Sequence, residues 1–158
     1  MQHRAVLDSL ETDGELVGDW ARLSVASYRP VYDAMVAEMA QRGLDCRGRP
    51  PMWAWLGPDT RDNAVAVTAE ILLCPETDDE YARYVVLDLD VPDEMVLVSS
   101  YGRWNDFMKA ILLGGEPATM DWSIDREEPA GVQACLPRVP AGYVLGARPL
   151  EPFDPEQE

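Results

Sequence analysis

Histidine is almost missing from this chain, His3 being the only one among 158 residues. That removes the side chain most used for proton transfer near neutral pH and the commonest metal ligand. Cysteine is scarce as well. Cys46, Cys74 and Cys135 are odd in number and unrelated in spacing, which argues against a disulfide framework and for a reducing, cytoplasmic setting. With His3 as the only histidine to join three widely and irregularly spaced cysteines, no metal site is expected. Long apolar runs are absent too: none approaches the roughly 20 residues that span a bilayer. The opening MQHRAVLDSLETDGE has no apolar stretch of the signal-peptide kind. Phosphate loops, nucleophile motifs and internal repeats are likewise missing. Basic residues are few, 13 against 29 acids, for a net charge of −16. Such a surface repels polyphosphate, so no broad nucleic-acid footprint is expected. The acids are scattered along the chain. They suit solubility, and the sharper reading is nucleic-acid mimicry or docking to a basic protein partner.

What is present describes a globular fold. Hydrophobic residues make up 47%, enough for one domain with a real core. The stretch from Tyr84 to Leu113 organises the rest. A strand runs from Tyr84 to Val91, with Val86, Asp88 and Asp90 on one side and Val85, Leu87, Leu89 and Val91 on the other. Pro92-Asp93-Glu94 breaks it. A short strand, Met95 to Val98, follows, and a helix opens at Ser99 or Ser100, with Trp104, Phe107, Met108 and Ile111 as its apolar stripe and Gly114-Gly115 as its stop. Upstream, residues 3–13 form a short amphipathic helix ended by Gly14, and Asp19 to Val25 reads as extended. A second helix is capped by Ser27, with Pro30 in its first turn, a buried stripe of Val31, Met35 and Met39, and Gly43 at its end. Met52 to Leu56 is a strand. Asn63 to Leu73 is ambiguous between helix and strand, and Pro75 to Glu80 is an acidic loop. Val132 to Leu136 and Tyr143 to Ala147 are two more strands. Residues 1–148 are thus expected to form a single α+β domain, and 149–158 an acidic, proline-rich tail.

Two features stand out as candidate chemistry. Arg42, Arg47 and Arg49 lie close together around the loop CRGRPP, either balancing nearby acids or offering an anion site. Beside them, Trp53 and Trp55 fall on one face of a strand, where they either fill the core or wall a pocket for a flat ligand.

Several stretches together resemble a bacterial family described as a domain of unknown function. They are Leu10 to Gly14; the helix bearing Tyr32, Ala34, Met35, Met39 and Arg42; the strand Pro51, Trp53, Trp55; the turn Pro58, Asp59, Arg61; the segment Val91, Pro92, Asp93, Ser99, Trp104; and the pair Gln133-Ala134. Ala34, Ser100 and Tyr101 depart from the family's tryptophan, acid and phenylalanine. More distantly, Val132 to Leu136, then Val139-Pro140, then Tyr143 to Leu145 is similar to the closing strands of ADP-ribosyltransferase-like domains. Gln133 stands where those domains carry a catalytic glutamate, and a neutral amide cannot serve as a base.

The resemblance implies a small nucleotide or metabolite ligand, NAD being the cofactor. Gln133 would take the catalytic position. His3 and Arg4 would meet a phosphate or ribose, Trp53 or Trp55 would form an aromatic wall, and Arg61 would contact an anion. The alternative from a different class is a non-enzymatic interaction or regulatory module that uses its acidic surface to bind a basic partner.

Overall fold

The computed structural model describes residues 1–23, 26–56, 61–73, 78–114, 119–124 and 131–152. Along the chain come β1 (Gln2–His3), α1 (Val6–Asp13), β2 (Glu15–Val17), α2 (Arg29–Gln41), β3 (Met52–Trp55), α3 (Arg61–Leu73) and α4 (Asp78–Tyr81). Then follow β4 (Tyr84–Leu89), β5 (Leu97–Ser100), α5 (Tyr101–Leu112), β6 (Val132–Leu136), β7 (Arg138–Pro140) and β8 (Val144–Pro149). This mixture is the expected α+β class. The chain gathers into two compact units, each assembled from separate stretches: Met1–Leu16, Trp55–Val91 and Pro140–Glu158 in the first, Val17–Ala54 and Pro92–Val139 in the second.

The first unit is built on a three-stranded sheet in the order β1-β4-β8, with β4 antiparallel to both neighbours. Because β4 is the central strand, Val85 and Val86 are both buried, and the strict alternation suggested by its sequence is not kept. A register shift between Asp88 and Leu89 interrupts the ladder with β8. Arg148 of β8 reaches Asp88 at 3.7 Å. Val65 and Ala69 of α3, Tyr81, Val86 and Leu150 form the core, with Trp55, Leu73 and Tyr84 packed against it. Helix α1 stops where expected: Gly14 takes φ 73°, and its N–H donates to the Leu10 carbonyl at 3.2 Å. The ambiguous stretch from Asn63 is helical, and of the acidic loop expected over Pro75 to Glu80 the part from Asp78 is helix α4 while residues 75–77 lie outside the described residues. The tail from residue 153 onward lies outside the described residues.

The second unit has its own three-stranded sheet, β3-β6-β5, with β5 antiparallel to β6. Helix α2 presents Val31, Met35 and Met39 to the core, all fully buried. Trp104 and Phe107 of α5 join them, together with Leu97 and Cys135 from the sheet. Three local expectations are corrected. Ser27 does not cap α2. It sits within a 3-10 turn, Ala26–Tyr28, and Tyr28 is the cap residue with no side-chain bond to the helix. Pro30 still falls in the first turn, where its missing N–H costs nothing. The stretch from Asp19 is not extended: the Asp19 carboxylate accepts the Ala21 N–H at 2.9 Å and nucleates a 3-10 turn over Trp20–Arg22. The strand expected from Met95 starts at Leu97, because Asp93–Met95 is a 3-10 turn whose Asp93 carbonyl accepts the Val96 N–H. Gly18 is required by close packing, since a Cβ there would collide with the Pro50 carbonyl oxygen.

Candidate functional site

Gln133 lies on β6, the middle strand of the second unit's sheet, and is only 2% exposed. Register pairs it with Ser99 on β5, and its Nε2 donates to Ser99 Oγ at 2.9 Å. Its Oε1 is buried with no hydrogen-bond partner. The next residue of β5, Ser100, accepts the Arg103 N–H at 3.1 Å and so caps α5 as its sequence suggested. Strand alternation puts Ser99 and Gln133 on the same face as Leu97 and Cys135, the face that carries the core.

On that face sits an aromatic cluster. Trp53 and Trp104 have ring centroids 5.0 Å apart. Tyr32 meets both edge-on, at 6.1 Å and 6.0 Å. Trp122 adds a further contact with Trp104 at 6.4 Å, and Trp20 meets Tyr32 at 6.5 Å. The Arg29 guanidinium lies 3.7 Å over the Trp20 ring and bonds Asp33 at 2.9 Å. Burial pushes the Tyr32 phenol up, with the Trp53 indole opposing. The indole N–H nonetheless makes no hydrogen bond of acceptable geometry and remains an orphan. Cys135 is fully buried. Burial, with a smaller contribution from Cys46, lifts its thiol well above the usual range. Burial also raises the Cys46 thiol, which lies 3.6 Å from the Met39 sulfur. Cys74 lies outside the described residues.

The sequence-derived site residues divide between the units. Trp53 and Gln133 are in the second, on neighbouring strands and turned toward one core. Trp55 is in the first, packed against the cluster of Val65, Ala69 and Tyr81. The two tryptophans therefore serve different cores. His3 is exposed; its Nδ1 accepts the Ala5 N–H at 3.2 Å, and its ring meets Tyr84 edge-on. Arg4 is exposed and is held by its backbone, whose N–H donates to the Arg83 carbonyl at 2.7 Å. Arg61 opens α3, and its side chain lies outside the described residues. Compared with known protein families, curated proteins and solved structures, the chain matches none.

Around the arginine loop, one of the three side chains is seen balancing an acid. Arg42 pairs with Glu38 at 2.7 Å. Arg49 donates to the Gly18 carbonyl at 3.3 Å. Arg47, at φ 52°, donates its N–H to the Asp45 carboxylate at 2.7 Å. Trp20 Nε1 donates to the Gly48 carbonyl at 2.7 Å, which fixes the loop from the other side. Among the described residues no group of three or more His, Cys, Asp or Glu could hold a metal ion, and no helix is long and apolar enough to cross a membrane.

Charge divides unevenly between the units, a feature that total composition hides. The first holds 17 of the 29 acids and only 4 of the 13 bases, a net of −13, against 12 acids and 9 bases, a net of −3, in the second. Large apolar side chains are also exposed in the first unit: Leu56, Val67, Ile71, Leu72 and Leu145. The first unit thus combines an excess of negative charge with exposed aliphatic side chains.

Proposed function

We propose that the chain is a non-enzymatic interaction module whose acidic first unit docks a basic protein partner. The observation that carries this reading is the charge partition, −13 in the first unit against −3 in the second. Electrostatic attraction of that size speeds encounter and selects partners by sign, and salt weakens it. The test is fluorescence anisotropy of the full chain with two labelled helix-forming peptides of equal length, one of lysine and leucine, one of glutamate and leucine. Binding of the lysine peptide alone, weakening as salt is raised, supports the module. Equal affinity for both peptides, or none for either, overturns it.

A second reading, an ADP-ribosyltransferase-like domain that binds NAD or a nucleotide with altered or lost catalysis, is favoured by one observation. The orphan Gln133 Oε1 accepts and the orphan Trp53 Nε1 donates, and a carboxamide such as that of nicotinamide could use both. Thermal shift with NAD, ADP-ribose and nicotinamide tests it. A rise in Tm that Gln133→Leu removes supports this reading, and no rise at millimolar ligand ends it.

A further inference from the structure

Helix α3 is apolar on two opposite sides. Val65, Ala69 and Leu73 are spaced four apart and turn into the first unit's core. At about 100° per residue, Val67 and Ile71 lie about 180° around the helix from that stripe. They are themselves four apart, so they form one stripe of their own, 40% and 66% exposed. Leu72, 69% exposed, borders the core stripe. Glu70, also exposed, lies about 60° from Val67, at the margin of the outer stripe, and accepts the Tyr81 hydroxyl. A surface helix ordinarily keeps polar residues opposite its core face.

We infer that the Val67–Ile71 face of α3 is a docking surface for a lysine- or arginine-rich amphipathic helix of a partner protein. This rests on the interaction-module reading and gives that module a site and a partner class. The occupant is set by charge. The face belongs to the unit with a net charge of −13. A second copy of the chain would bring the same net charge against it, at a repulsive cost. A basic helix with leucines on one side would cover the aliphatic stripe and bring its cations to Glu70 and to a unit of net negative charge. The geometry is helix against helix, read through residues one turn apart.

The experiment uses the full chain and the lysine–leucine helical peptide, by anisotropy at near-physiological salt, with circular dichroism to confirm folding. Three proteins are compared: wild type, Val67→Ser/Ile71→Ser, and Leu113→Ser. The last removes an exposed leucine of the second unit that is 86% accessible. The expected result is a loss of about tenfold or more in the double variant, the scale of two lost aliphatic contacts, and wild-type affinity in Leu113→Ser. If the double variant stays folded and binds within about twofold of wild type, α3 is not the site and the module reading survives. If wild type does not bind the peptide, the module reading itself falls. Sedimentation of the same proteins without peptide tests the other occupant: a wild-type dimer that the double variant dissolves would make the partner a second copy and overturn the proposal.

Discussion

Gln133 donates to Ser99 across a 34-residue separation, and the bond leaves the other half of the same amide without a partner. A buried acceptor left unpaired costs about 1–3 kcal/mol, whereas exchanging both members of a polar pair for apolar groups of similar shape can be close to neutral. Gln133→Met with Ser99→Ala is therefore expected to equal or exceed wild type in stability. Gln133→Ala, which also opens a cavity in a fully packed sheet, is expected to lose about 2 kcal/mol or more. Chemical denaturation of the three proteins decides it. A double variant as damaged as Gln133→Ala would mean that the amide is held there by something other than Ser99.

Ser100 should be worth about 1 kcal/mol as a helix cap, because its hydroxyl takes one of the four N–H groups that α5 cannot satisfy internally. Ser100→Ala is expected to lose that amount and Ser100→Asp to retain most of it, although the residue's full burial penalises the charge. Urea midpoints at constant m-value are the measurement. No loss in Ser100→Ala would show that the Tyr101 N–H bond to Gly131 suffices to fix the start of the helix.

The two described thiols should be nearly inert. Burial raises both Cys46 and Cys135, and Cys135 the more strongly, so the reactive thiolate is rare and inaccessible. Alkylation at about pH 8, where a free cysteine reacts readily, followed by peptide mass spectrometry, is expected to label Cys135 more slowly than Cys46. Both should react fully in denaturant. Rapid native labelling of Cys135 would place it nearer solvent than the structure does.

Asp121 is a carboxylate held in its charged form by its neighbours. The Ser123 backbone N–H and hydroxyl, with a smaller contribution from Arg103, hold its carboxyl below the ordinary range. A carboxylate whose folded pKa is depressed contributes its stabilisation above the unfolded value and loses it as pH falls through the folded one. The tie between residues 121–123 and α5 should therefore persist until the pH is below the usual aspartate midpoint. Carbon-detected NMR titration of the Asp121 carboxyl is expected to show that depressed midpoint, and Ser123→Ala should move it upward. An ordinary midpoint in wild type would mean that this exposed network does not persist in solution.

Some of the fold was legible because its signals are local. Helix α5 announces itself by a serine cap, an apolar stripe at helical spacing and a glycine stop, and α1 by Gly14. Helix α3 was not legible for a reason that matters to the proposal. Val65, Ala69 and Leu73 point one way and Val67 and Ile71 the other, so no single face dominates and the period is blurred. The cap of α2 was misplaced because a 3-10 turn preceding a helix uses the same serine-rich composition as a cap. At the candidate site, the sequence marks Trp53 and Gln133 for a ligand site; that the two share one core, that Ser99 faces Gln133 and that both polar residues are buried is nowhere signalled near Gln133. The tryptophans two apart read as one strand face, filling a single core or walling a single pocket. Their surroundings, the cluster of Val65, Ala69, Tyr81, Val86 and Leu150 for Trp55 and the rings of Tyr32 and Trp104 for Trp53, come from separate parts of the chain that periodicity cannot bring together.

The touch between position 18 and the Pro50 carbonyl has an implication for variation in this protein. Two lengths of main chain lie against one another there with no space for even a methyl group, so the requirement is steric and indifferent to polarity or charge. Every other amino acid is barred alike, alanine as firmly as tryptophan, and a randomised library at that codon would recover glycine while neighbouring Asp19, open to water, drifts among other residues able to cap the turn.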